Sequence, residues 1–197
     1  HRDHAPLGHV GNYTQHLHAV RAAADGGAFA VGGGTIVLKL TADLDVTWRR
    51  GYGGTGLGYA VEALDDGGCM AFGWREFSYP WDDDMWLLCL EPDGDTLWAH
   101  QYRDSSNNIG YDLDQCEDGG FILCGYRYRT PGPQDVFVIR TDDDGDTLWT
   151  KSFGGEQWDQ AFAVRRTHDG GYVLGGSTQS YGAGDHDFYI VKLYPDD

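Results

Sequence analysis

The 197-residue chain carries 31 acidic against 14 basic side chains, a formal net charge of -17, which opposes docking on nucleic acid or anionic lipid. Thirty glycines and only two methionines favour turns over helices, and no apolar run of 18 residues offers a membrane-inserted helix. The acidity suits cations, a high-salt environment or simple solubility, and aspartate is also a turn former.

The chain begins at His1 with no basic leader followed by an apolar run, so a removed signal peptide or a fragment is expected. His1, His4, His9, His16 and His18 crowd this first segment; His16 and His18 share one strand face and form a candidate metal-chelating cluster. Asn12-Tyr13-Thr14 is a glycosylation sequon with Asn12 as acceptor. An Asp-Gly-Gly turn then recurs at 25–27, 66–68, 118–120 and 169–171. Each is followed by an apolar run: Ile36 to Leu40, Trp86 to Leu90, Phe137 to Arg140, and Tyr189 to Leu193. A Trp-ended segment closes the first three units: Leu44 to Trp48, Gly94 to Trp98, and Gly145 to Trp149.

Three markers in register along the chain define four units of about 50 residues. The last unit reads as strand A over 161–167, a tight turn, strand B over 172–175, a longer loop and strand C over 188–193. Strand D is the Trp-ended segment. A four-stranded twisted sheet cannot bury both faces alone, and radial stacking of such sheets does so. The expected fold is therefore an all-β propeller of four four-stranded blades. Their approximate bounds are 8–48, 49–98, 99–149 and 150–197. Segment 3–7 is the candidate strand that completes the last blade and closes the ring, or that completes a neighbouring molecule.

Strand A is expected to line the axis. Its equivalent positions are Arg21, Glu62, Asp114 and Arg165, which suggests structural ion pairs Arg21–Glu62 and Asp114–Arg165, or else four unrelated surface charges. Cys69 and Cys89 open strand B and close strand C of unit 2, a candidate cross-strand disulfide; buried free thiols are the other reading for all four cysteines.

Thr147 to Gly155, continuing through Asp169 to Gly176, resembles the β-propeller repeats of secreted and surface-anchored proteins of bacteria and archaea, and more distantly the blades of quinoprotein dehydrogenases. The first resemblance implies the fold and an extracellular or cell-surface location, but little chemistry.

Function is expected where the repeats differ. Propeller connectivity puts the B–C and D–A loops on one face. Candidates there are Trp74, Arg75, Tyr79 and Trp81 in unit 2, Arg127, Tyr128 and Arg129 in unit 3, and Trp158 and Tyr181 in unit 4; Tyr52 and Tyr102 lie in the other D–A loops. Aromatics beside charges suit a sugar face or a peptide partner, or they pack between blades. Asp142, Asp144 and Asp146 have part of a calcium-loop spacing, but the glutamate and flanking helices of an EF-hand are missing, and a hairpin turn is the favoured reading over a metal site. Calcium is the one cofactor considered, and none is otherwise expected. No nucleophile–base motif occurs. The leading expectation is a non-enzymatic surface module that binds protein partners or self-associates into an oligomer or filament. The alternative is a carbohydrate-binding propeller using the loop face. A hydrolase or redox enzyme is the third reading.

Overall fold

The computed structural model describes residues 16–76, 83–103, 106–129 and 132–194. Four antiparallel meanders follow one another. The first is β1 (Leu17–Ala22), β2 (Ala28–Gly32), β3 (Ile36–Leu40) and β4 (Val46–Gly51). The second is β5 (Thr55–Ala63), β6 (Cys69–Glu76), β7 (Asp83–Leu90) and β8 (Thr96–Tyr102). The third is β9 (Asn108–Gln115), β10 (Phe121–Tyr128), β11 (Gln134–Thr141) and β12 (Thr147–Phe153). The fourth has three strands among the described residues: β13 (Asp159–Arg166), β14 (Tyr172–Thr178) and β15 (Asp187–Leu193). The outer strands run past the tryptophan, to Gly51, Tyr102 and Phe153, so each sheet ends a few residues later than the Trp marker suggests. The expected closing strand 3–7 lies outside the described residues, as do Asn12, His1, His4, His9, Tyr79 and Trp81.

Physical chemistry accounts for the Asp-Gly-Gly turns. The aspartate side chain accepts the amide of the second glycine, at 2.9 Å for Asp25 and Gly27 and 2.8 Å for Asp66 and Gly68. The first glycine has positive φ in all four turns, from 81 to 91°, where a Cβ is penalised. At the second, a methyl carbon would stand 2.0 to 2.3 Å from a strand-C carbonyl oxygen: that of Leu40, Leu90, Thr141 or Leu193. In three units the turn aspartate also meets a cation from strand C: Asp25 with Lys39 at 2.9 Å, Asp118 with Arg140 at 2.6 Å and Asp169 with Lys192 at 2.7 Å. Unit 2 has Cys89 at that position.

Three dry interfaces join the four sheets. Phe29, Val31 and Val37 meet Val61, Ala71 and Trp86; Met70, Phe72 and Leu87 meet Leu113, Leu123 and Phe137; Ile122, Cys124 and Val138 meet Val164 and Leu174. Each large side chain so buried contributes roughly 1.5–3 kcal/mol of transfer free energy. The A strands pack in sequence, β1 on β5, β5 on β9 and β9 on β13, as an axis-lining strand must. No comparably extensive packing joins the fourth sheet to the first among the described residues. Accordingly Phe188 and Ile190 on the far face of the fourth sheet are 95% and 75% exposed, while Met85 and Leu87, their equivalents in the second, are fully buried.

Of the two expected axial ion pairs, Arg21–Glu62 is present at 2.6 Å. The second is different: Arg165 pairs with Asp112 at 2.5 Å, not with Asp114. The period-2 spacing of β9 explains the change. Asp112 accepts the amide of Val164 and Asp114 that of Arg166, at 3.0 and 2.7 Å, so two carboxylates two residues apart bind alternate amides of β13 and the first lies nearer Arg165.

The proposed Cys69–Cys89 disulfide is not formed. Cys69 is the partner of Leu90 across the β6–β7 ladder and Met70 that of Cys89. The two sulfurs therefore leave the sheet on opposite faces and enter different cores. All four cysteines are buried and free.

Candidate functional site

The loop face is built from hairpins longer than the sequence suggests. Trp74, Arg75, Arg127 and Tyr128, expected in loops, lie on β6 and β10, because the B and C strands extend beyond the cores. Arg75 and Asp84 are cross-strand partners, and so are Arg127 and Asp135.

Strand C opens with an Asp-apolar-aromatic sequence in three units: Asp84-Met85-Trp86, Asp135-Val136-Phe137 and Asp187-Phe188-Tyr189. These aspartates organise the loop face. Asp84 is fully buried and accepts the Gln101 amide at 3.1 Å, with Arg103 at 3.4 Å. Asp187 accepts the amide of Ala183 at 2.9 Å. Asp135 faces Arg129 at 3.4 Å. Sequence reasoning sets Asp84 aside as one acid among 31 and passes over Asp135 and Asp187, although their recurrence was a usable signal.

The seam between the third and fourth sheets gathers the most chemistry. Asp159, at the start of β13, is fully buried. It accepts the Gly155 amide at 2.8 Å, the Ser180 hydroxyl at 2.6 Å and the Thr178 hydroxyl, which ties the D–A loop to the fourth B–C loop. A methyl carbon on Gly154 would stand 2.2 Å from Oδ1 of Asp135 and 2.8 Å from Oδ2 of Asp159. The two carboxylates thus converge on one point. Burial pushes the Asp135 carboxyl above its ordinary range, Arg129 opposes that, and the neighbouring Asp159 adds to it. Tyr181 donates its hydroxyl to the Gly154 carbonyl at 3.1 Å and its ring lies 5.8 Å from that of Tyr189. Trp158 is 47% exposed, Tyr181 51% and Tyr128 38%.

Of the sequence candidates, Arg129 and Tyr181 therefore flank the acid pair, and Trp158 immediately precedes Asp159. Arg127 sits with its guanidinium 5.0 Å over the Phe137 ring. Arg75 belongs to the seam between the first two sheets, where it packs on Gly53 and Gly54, whereas Trp74, the ladder partner of Met85, lies on the other face of the second sheet, toward the third. Tyr52 and Tyr102 serve structure: their hydroxyls donate to the carbonyls of Gly94 and Gly145 in the next sheet's turn, at 2.7 and 2.8 Å.

The expected Asp142, Asp144 and Asp146 metal triad is a turn. Asp142 accepts the Asp146 amide at 2.8 Å, Asp144 is exposed, and Asp146 lies 3.9 Å from His100. No group of three candidate metal ligands occurs among the described residues.

No family profile matches the chain, and no curated protein matches its sequence. Among solved structures, an endo-arabinase from Bacteroides thetaiotaomicron VPI-5482 is similar with a TM-score of 0.51, covering 92% of this chain and 75% of its own at 12% identity. That likeness shows the β-propeller fold. It also overturns the expectation that the chain is not an enzyme, because the similar structure is an enzyme built on this fold.

Proposed function

We propose that the chain is a carbohydrate-binding propeller that takes a glycan on its loop face, outside the cell. One observation carries the reading: exposed Tyr128, Trp158 and Tyr181 stand on the face where Asp135, Asp159 and Arg129 converge. Sugars present apolar C–H faces to rings and hydroxyls to charged planar groups, and sites for small ligands combine such surfaces. The likeness to an endo-arabinase makes arabinan the first probe. Glycan capture would also serve the adhesive role expected of a surface module.

The test is a titration with arabinan and a glycan array, repeated with Trp158→Ala and Tyr181→Ala. Saturable binding weakened by either change supports the reading. Absence of binding across the array sinks it.

A second reading, glycoside hydrolysis, is favoured by the Asp135 and Asp159 pair, since that chemistry uses two acids and Asp135 is raised in the direction a general acid requires. Release of reducing ends from arabinan by the protein but not by Asp135→Asn would establish it; equal release by both would remove Asp135 from the chemistry.

A further inference from the structure

The innermost strand of every sheet carries a β-bulge at the same position of the repeat. In β1 the register skips between Leu17 and Ala19, in β5 between Gly58 and Ala60, and in β13 between Ala161 and Ala163. In β9 it passes from Gly110 to Asp112. The residues left over are His18, Tyr59, Tyr111 and Phe162, a ring in each case. Bulges re-aim one side chain and are common beside functional sites. Here each removes one ring from the alternation that feeds the cores: Ala60 and Val61 beside Tyr59 are buried in two different cores, while the bulged rings meet one another.

The ring centroids are 4.8 Å apart from His18 to Tyr59, 4.9 Å from Tyr59 to Tyr111 and 5.2 Å from Tyr111 to Phe162. His18 is tied through Nδ1 to the Gly58 carbonyl at 2.9 Å. A branch runs outward along the third sheet. Tyr126 lies 5.8 Å from Tyr111, and Tyr128 5.7 Å from Tyr126. The middle of this track is half-buried, but its three ends are open: Tyr128 on the loop face is 38% exposed, Phe162 at the axis 45%, and His18 is exposed too.

Resting on the carbohydrate reading above, we infer that this aromatic track is an extended subsite for a linear oligosaccharide, which enters at Tyr128 and reaches inward to stack its far unit on Phe162. Ring faces at Tyr128 and Phe162 with phenol hydroxyls between them match the alternation of apolar faces and hydroxyls along a sugar chain. Arg21, Glu62 and Arg165 lie three residues beyond the bulged rings of their strands and Asp112 one beyond Tyr111, so the ion pairs Arg21–Glu62 and Arg165–Asp112 floor the track with charge on the turn side.

The experiment is calorimetric titration with linear arabino-, xylo- and cello-oligosaccharides of increasing length, using the intact protein, Phe162→Ala, Tyr128→Ala and Trp158→Ala. All three changed side chains are well exposed, and circular dichroism and the urea midpoint verify that the variants fold. Phe162→Ala is expected to leave short oligosaccharides unaffected and to weaken longer ones about 3- to 10-fold. Tyr128→Ala is expected to weaken every length that binds. Equal affinity of Phe162→Ala and the unchanged protein at every length, with loss in Trp158→Ala, would overturn the track while leaving the carbohydrate reading intact. Absence of binding by every one of these oligosaccharides would overturn the track, and silence of the glycan array as well would overturn the carbohydrate reading.

Discussion

The hydroxyl of Tyr102 donates to the carbonyl oxygen of Gly145 at 2.8 Å, which locks the last strand of the second sheet to the turn that ends β11 of the third. Tyr52 makes the same bond to Gly94 at 2.7 Å, beside a bond from the Trp48 indole to the Pro92 carbonyl at 2.9 Å and an ion pair between Arg50 and Asp95. The Trp-ended segments therefore hold neighbouring blades together from outside. Burial pushes the Tyr102 hydroxyl upward, which keeps it a donor. Tyr102→Phe should cost about 1 kcal/mol, Tyr52→Phe a similar amount, and the pair should be additive because the sites are in different seams. Urea unfolding of the three variants checks this; a double variant no worse than either single one would refute independent clasps.

Gly145 shows how tightly the clasp is packed. Its φ is +85° and a methyl carbon there would stand 2.7 Å from the Trp98 ring and 2.8 Å from His100. Gly184 also has positive φ, +106°, but faces open space. Both alanine variants carry the backbone penalty of about 1 kcal/mol, and Gly145→Ala adds an overpacking cost of about 1–3 kcal/mol. Thermal unfolding should rank Gly145→Ala clearly below Gly184→Ala; equal values would mean that the neighbouring rings move aside freely.

The turn aspartates make the fold acid-sensitive. Bonds from Lys39, Arg140 and Lys192 lower Asp25, Asp118 and Asp169 below their ordinary value of 3.8. A depressed carboxylate contributes stability that is full above its unfolded value and is lost as pH falls through the folded one. Glu62 and Asp112, raised by burial, act with the opposite sign, since protonation relieves their desolvation. Acid unfolding should therefore set in below about pH 4. Lys192→Met should lower the urea midpoint at pH 6, and the difference from the unchanged protein should shrink progressively as the pH falls below about 4. A pH-independent difference would exclude Asp169 as the linked group.

The thiols should be silent in the folded protein. Burial pushes Cys69 up to about 12 and Cys89 to about 11, so thiolate is scarce at neutral pH. A chromogenic disulfide reagent should titrate no thiol in the native state and four after unfolding in urea; rapid native reaction would contradict the burial. Cys89 occupies the place of Lys39, Arg140 and Lys192, with Asp66 in the adjoining turn. Cys89→Lys should therefore fold and gain a turn pair, whereas Cys69→Lys, aimed into the opposite core, should not accumulate as folded protein.

Much of this was legible in the residues. Glycine spacing and the Trp-ended segments reveal a repeat, and the charges at Arg21 and Glu62 reveal an axial pair, because each follows from the period of a strand. The candidate site was only partly legible. Tyr181, Arg129 and Trp158 are visible as loop residues that differ between units, but Asp135 and Asp159 are two aspartates among many. Their convergence on Gly154 depends on how one blade seats on the next.

The sequence by itself determined the units, the turns and the strand count per unit, since these are local: φ at a glycine, a side chain capping its own turn, alternation along a strand. The tertiary structure decided which face a residue serves. A single extra residue in each inner strand turned His18, Tyr59, Tyr111 and Phe162 toward the axis, the seating of β13 on β9 gave Arg165 Asp112 rather than Asp114 as its partner, and sheet register sent Cys69 and Cys89 to opposite sides. Bulge and register are properties of paired strands, set by the hydrogen bonds one segment makes with another, and a period-2 pattern amplifies a one-residue shift into a change of face.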